Sequence, residues 1–282
     1  MNVNQPFENL KGKVCVVTGG AGGIGTALCN SLSAAGINIA ILGRNADKAK
    51  KLAAELTQQH GNKAIGIACD VLDKKDLARA KEEINRSLGP VSFLINCAGG
   101  NHPNATASSE QIRDLENDFK NSFLNFSEEG MDFVFDLNFK GSVLPSMVFS
   151  EDMIKAGHGG IINISSVSGH LPLTRVGMYS AAKEAINSFT KWLAVHFAHT
   201  GVRVNAIAPG FFITEQNKFL LFDEKGGYTA RGEKIIKNTP VNKFGEVDDL
   251  GGTALYLFSD LASFVTGAIV PVDGGFTAFG RV

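Results

Sequence analysis

The chain has almost no surplus of charge. Its 27 lysines and arginines face 28 aspartates and glutamates, giving −1 at pH 7 over 282 residues. No global field draws it to nucleic acid or to an anionic membrane, so neither is expected as a partner. Nor does any apolar run approach the roughly 18 residues that span a bilayer. The opening MNVNQPFENL has neither a basic start nor an apolar stretch, so no secretory signal is read there and a cytoplasmic location is expected. Cysteine is sparse: Cys15, Cys29, Cys69 and Cys97 form no C-x-x-C pair, and three of them fall in apolar, strand-like runs. They read as free thiols in a reducing compartment, and no metal site is expected.

What is present is a core and many turns. Hydrophobic residues make up 44% and charged residues 20%, which excludes disorder and fibres. Glycine stands at 32, against about 20 for an average chain of this length. Short, continuously apolar runs at Val14–Val17, Ile37–Leu42, Ala64–Cys69, Phe93–Asn96, Gly160–Ile164, Val202–Ile207 and Ile269–Val272 predict seven strands covered on both faces. Between them, Ala49, Leu52, Ala53 and Leu56 follow helical spacing. Leu77, Ala80, Ile84 and Leu88 do the same, with Asp73 as a candidate N-cap. Strand–helix alternation of this kind predicts an α/β fold: a Rossmann-type, doubly wound parallel sheet in a three-layer α/β/α arrangement. One dinucleotide-binding domain is expected over 1–282, interrupted by a polar insertion at about 101–130 and a substrate loop at about 211–245. Pro145, inside the otherwise helical Asn138–Lys155, is expected to kink the helix or mark its first turn.

The first strand candidate runs into Thr18-Gly-Gly-Ala-Gly-Gly-Ile-Gly25, and a helical pattern follows. Glycines at 19, 23 and 25 permit a tight turn, let a pyrophosphate approach the backbone, and present helix N–H donors to it. At the end of the second strand the sequence is Gly43-Arg44-Asn45, without the acid that would hold a ribose 2′-hydroxyl. Arg44 can hold a 2′-phosphate instead, which favours NADP over NAD, or it can face solvent. Asp70-Val71, after the third strand, can border the adenine, or Asp70 can cap a helix.

Taken in order, TGGAGGIG at 18–25, NCAG at 96–99, Asn138 in DLNFKG, NISS at 163–166, YSAAK at 179–183, RVNAIAPG at 203–210 and VDGG at 272–275 make the chain resemble the short-chain dehydrogenase/reductase family along essentially its whole length. Within that family, GGNHP at 99–103, GHLPLTR at 169–175 and APGFFITEQN at 208–217 resemble the oxidoreductases of D-mannonate, also called fructuronate reductases. The resemblance implies Ser166, Tyr179 and Lys183 as catalytic residues, with Asn138 as a fourth that links Lys183 to water. It implies a dinucleotide seat of Gly19, Gly22, Gly23, Ile24 and Gly25 in the glycine loop, Arg44, Asn45, Asp70 and Val71 beyond it, then Asn96, Ala98 and Gly99. Tyr179 and Lys183 also face the cofactor in that scheme, as do Pro209, Gly210 and Phe212, and Thr214 touches its phosphate. It further implies a homotetramer, and an NADH habit among sugar-acid reductases that is in tension with Arg44.

The Tyr179–Lys183 spacing has its own chemistry. Residues four apart share a helix face. An ammonium beside a phenol favours the phenolate and is expected to lower the tyrosine pKa from ~10. A poised phenol can give a proton to a carbonyl oxygen or take one from an alcohol. A hexuronate would also need a cationic or hydrogen-bonding grip, for which Asn101, His102, His170, Arg175, Gln216 and Asn217 are candidates. The expected activity is interconversion of a ketone and a secondary alcohol on a small-molecule sugar acid, D-fructuronate and D-mannonate. Another ketone, such as a ketogluconate or a 3-oxoacyl thioester, is the alternative. A dinucleotide-binding sensor without catalysis is the reading from a different class.

Overall fold

The computed structural model describes residues 7–114, 117–215 and 217–280. Seven parallel strands appear where the apolar runs lie. They are β1 (Val14–Thr18), β2 (Asn38–Gly43), β3 (Ala64–Ala68), β4 (Phe93–Asn96), β5 (Gly159–Ile164), β6 (Val202–Pro209) and β7 (Ile269–Val272). Their order in the sheet is β3-β2-β1-β4-β5-β6-β7. The chain therefore reverses its winding between β1 and β4, and in such sheets the crevice at that point, outside the strands' carboxyl ends, receives ligands.

Helices α1 (Gly23–Ala34), α2 (Ala46–His60), α3 (Lys74–Ser87), α4 (Glu128–Phe135), α5 (Gly141–Ala156), α6 (Gly177–His196), α7 (Lys218–Leu221), α8 (Ala230–Lys237) and α9 (Gly251–Phe258) complete the chain. One core packs α1, α2 and α9 on one sheet face through Leu28, Leu32, Leu52, Leu56 and Leu257. The other packs α3, α5 and α6 on the opposite face through Leu77, Ile84, Phe149 and Leu193. Every residue of β1 is buried, as a strand covered on both faces requires. Asp73 caps α3 as its position predicts, accepting from Lys75 N at 2.8 Å and Asp76 N at 3.3 Å. Gly251 packs within the chain, since a Cβ there would collide with the Ser31 side chain of α1.

Polar register marks the ends of the central strands. Thr18, Asn96 and Asn163 stand side by side on β1, β4 and β5. Asn96 Nδ2 donates to Asn163 Oδ1 at 2.8 Å and to Ser146 Oγ at 2.9 Å, and Asn163 Nδ2 reaches Thr190 Oγ1 at 2.9 Å. Thr18 Oγ1 accepts from Cys97 N and Ala98 N at 3.1 and 3.2 Å.

Pro145 sits inside α5 rather than in its first turn. The irregularity lies upstream, where Asp136–Lys140 forms a π-helical turn that joins α4 to α5. Such wide turns re-aim a side chain, and this one carries Asn138. The polar insertion is tied down: Ser127 caps α4 by accepting from Gly130 N at 3.0 Å, and Ser127 N donates to Asn104 O at 3.1 Å. The 211–245 segment has its own small core of Leu221, Ile235, Ile236 and Phe244, and is stitched by the Phe212–Gly245 bridge.

Candidate active site

A cleft of about 570 Å³ opens at the strands' carboxyl ends, where the winding reverses. The glycine loop forms one wall. Gly19 adopts φ +62°, a conformation natural only to glycine, and starts the turn into α1. A Cβ on Gly23 would stand 2.9 Å from Thr214 Cγ2. No side chain caps α1, and its first turn holds no acid. The leading N–H groups of that helix are therefore left for an external anion, as a pyrophosphate requires. These residues fit a dinucleotide.

Beyond the loop, Gly43, Arg44, Asn45 and Lys48 line the outer end of the cleft. Asn45 caps α2, its side chain accepting from Lys48 N at 3.0 Å. Lys48 was not singled out by the sequence; its position one turn into α2 brings it beside Arg44. Neither cation takes part in an ion pair among the described residues. Ala98, Gly99, Pro209, Gly210, Phe212 and Thr214 line the cleft where expected.

Three residues of the expected seat lie elsewhere. Asn96 is buried beneath the floor with its amide nitrogen committed to Ser146 and Asn163, so its neighbour Cys97 lines the cleft in its place. Asp70 accepts from Leu72 N at 2.9 Å in a local turn. Val71 is buried against the start of α5, where a Cβ on Gly141 would meet it.

At the inner end, β5 delivers Ser166 and α6 delivers Tyr179 and Lys183. Ser166 accepts from Ser168 N at 3.1 Å, which fixes its turn, and its hydroxyl lines the cleft together with the Tyr179 phenol. Lys183 is almost fully buried. Its Nζ lies 5.4 Å from the centre of the Tyr179 ring and donates to Ile164 O at 2.8 Å. Asn138, fully buried, donates from Nδ2 to Gly100 O at 2.7 Å and Val134 O at 2.8 Å, and its Oδ1 accepts from Gly100 N at 3.2 Å. Its side chain thus clamps the segment after β4 rather than reaching toward solvent.

Ionisation departs from the expectation that Lys183 lowers the phenol. Burial pushes Tyr179 up to about 12, with the neighbouring Ser166 hydroxyl opposing. Burial also pulls Lys183 down to about 8. The ammonium therefore titrates before the phenol, and its charge is gone when the isolated phenol would ionise. Near neutrality the pair is a phenol beside an ammonium, a proton donor next to a charge that stabilises the anion it leaves behind.

The substrate candidates scatter. Asn101 donates to Thr106 Oγ1 at 2.7 Å, and His102 accepts from Asn104 N at 3.2 Å. His170 is exposed and lines neither cavity. Gln216 lies outside the described residues. Asn217 lines the dinucleotide cleft, holding Thr214 N and Phe212 O at 2.8 Å each, so it shapes the loop. Arg175 alone of these faces a second cavity, of about 730 Å³.

Comparison with known proteins agrees with this geometry. The family model described as enoyl-(acyl carrier protein) reductase matches residues 19–277. An uncharacterized oxidoreductase of Bacillus subtilis (strain 168), UxuB, is 48% identical over 98% of each chain. A Haemophilus influenzae protein, provisionally named a D-mannonate oxidoreductase and solved with NAD bound, superposes with a TM-score of 0.93 at 42% identity, covering 99% of this chain and 100% of its own. A gluconate 5-dehydrogenase of Burkholderia cenocepacia J2315, solved with NADP and tartrate, gives a TM-score of 0.84 at 31% identity over 98% of each chain. No described helix is long and apolar enough to cross a membrane. With these matches running over nearly the whole chain, the chain belongs to the short-chain dehydrogenase/reductase family of NAD(P)-dependent oxidoreductases.

Proposed function

We propose that the chain interconverts the ketone and secondary-alcohol forms of a sugar acid, D-fructuronate and D-mannonate, with NADP(H). The carrying observation is that Ser166, Tyr179 and the buried Lys183 come together at the inner end of the cleft, with the Lys183 ammonium 5.4 Å from the Tyr179 ring centre. Ser166 Oγ and the Tyr179 phenol hold the reacting oxygen between them. When bound, the nicotinamide supplies the hydride to carbon, or takes it in the reverse direction. As the ketone is reduced, Tyr179 gives its proton to the oxygen, so one hydride and one proton convert C=O to CH–OH. The Lys183 ammonium stabilises the phenolate left behind, and the Ile164 carbonyl keeps that ammonium in place.

The sugar-acid assignment is supported by the name of the Haemophilus protein and by the gluconate 5-dehydrogenase, whose structure holds a hydroxy acid. The cofactor preference is supported by Arg44 and Lys48, two cations at the outer end of the cleft that have no ion pair among the described residues. The chain is further proposed to act as a homotetramer, because Trp192, Val195 and Met147 expose an apolar face on α5 and α6 that another copy would cover.

The test is a panel of hexuronates, ketogluconates and a 3-oxoacyl thioester, each with NADH and NADPH. Oxidation of NADPH with D-fructuronate is expected. Turnover of the thioester without turnover of any sugar acid overturns the assignment.

A further inference from the structure

The second cavity has an unbalanced charge. Three cations line it, Arg175, Arg231 and Lys234, and one acid, Glu110. Glu110 is already taken: Lys234 Nζ donates to both of its carboxylate oxygens, at 2.5 and 2.6 Å. That ion pair ties the polar insertion to α8. The insertion also holds Arg175, whose Nε donates to Ala107 O at 2.8 Å and whose carbonyl accepts from Ala107 N at 2.9 Å. The Arg175 terminal nitrogens and the whole Arg231 guanidinium have no hydrogen bond or ion pair among the described residues.

Arg175 and Arg231 are near enough to repel each other, and the one acid in the lining, Glu110, is hydrogen-bonded by Lys234. The repulsion is registered at Arg231, which desolvation pulls below the usual arginine range and which nearby Arg175 lowers further, with Glu110 opposing. The planar fork of each matches a carboxylate, and an anion placed between them turns the repulsion into two attractions. Along the chain, the lining of this cavity adjoins that of the catalytic cleft. Arg175 lies four residues before Tyr179, and cavity-lining Phe211 sits between Gly210 and Phe212 of the dinucleotide cleft. The rest of the lining is mostly apolar, Phe211, Ile235 and Phe276 among it, and Thr174, Asn238 and Thr277 add hydrogen-bonding groups that hydroxyls of a sugar acid could meet.

We propose that Arg231 and Arg175 together seat the carboxylate of the substrate, with the Lys234–Glu110 pair closing the wall behind them. This rests on the sugar-acid reading and names the residues that select the acid. Arg231 is a specificity residue. It touches the end of the substrate remote from the reacting carbon.

Two measurements test it. In the first, Arg231→Gln and Arg231→Lys are compared with the unaltered enzyme on D-fructuronate and on D-fructose, the ketohexose without the carboxylate. Arg231→Gln should raise KM for the uronate at least tenfold relative to KM for the neutral sugar, with kcat on the uronate changed less than threefold. Arg231→Lys should recover part of the difference. Equal changes for the two sugars, or an unchanged uronate KM, overturn the proposal. The second measurement needs no turnover: calorimetric titration with tartrate, a hydroxy dicarboxylate. Tenfold weaker tartrate binding by Arg231→Gln, with unaltered Tm and dinucleotide affinity, supports the anion seat. Equal tartrate affinity overturns it. If no uronate is reduced by any form of the enzyme, the functional assignment fails, while the titration still decides the role of Arg231.

Discussion

Replacing Lys183 by methionine removes one charge and keeps the length of the side chain. With Nζ 5.4 Å from the Tyr179 ring centre, the ammonium stabilises a forming phenolate by about 3 kcal/mol at an effective dielectric of about 20. That is roughly a hundredfold in rate. Lys183→Met should therefore reduce the ketone about a hundredfold more slowly at pH 7 when the dinucleotide is saturating. The pH dependence makes the test sharper. Lys183 carries its proton below about 8 and loses it above. The unaltered enzyme should therefore reduce its ketone at a constant rate on the acid side of 8 and more slowly on the alkaline side. The variant has no ammonium to lose, so that alkaline fall should vanish. The assay is kcat/KM for reduction from pH 6 to 10, with thermal melts showing that the variant is folded. A variant that keeps the full rate at pH 7, or that shows the same decline above pH 8, refutes the assignment of the charge to Lys183.

Other outcomes follow from the same geometry. Tyr179→Phe should bind dinucleotide normally, by fluorescence titration, yet lose at least a thousandfold in turnover; a variant at full rate would return the chain to the class of non-catalytic sensors. Gly23→Val places a branched side chain where even a Cβ meets Thr214 at 2.9 Å, so dinucleotide affinity should fall at least tenfold while the melting temperature changes little. Arg44→Asp puts an acid at the end of β2, and the ratio of kcat/KM for NADPH over NADH should drop at least tenfold; an unmoved ratio means Arg44 does not meet the 2′-phosphate.

Much of the scaffold was legible because its signals are local. Each strand is one short apolar run, and all seven appear within a residue or two of the predicted ends. The glycine loop, Ser166 and the Tyr179–Lys183 pair were legible for a similar reason: each motif lies within a few residues and next to an element boundary. Several features were not. Whether Asn96 faces the cleft or its floor depends on Asn163 and Ser146, which are far away in sequence. The π-turn around Asn138 leaves no mark in the apolar spacing. Lys48 and Arg231 are ordinary exposed helix residues until the fold brings Arg44 beside one and Arg175 beside the other. The phenol's ionisation needed burial to be known, since helical spacing reports the neighbouring charge but not the lost solvent.

The row of Thr18, Asn96 and Asn163 has a consequence for how such a chain can change over time. A slide of one strand past its neighbour would strand several amide groups in a dry interior, at a cost of about 1–3 kcal/mol for each unpaired group. Alignment is thereby enforced by polar bonding as well as by greasy contacts. The segments that rise from those strand tips can then be rewritten freely, and their starting points will not drift. New specificities can be explored above a platform that holds the proton donor and the hydride path in fixed relation.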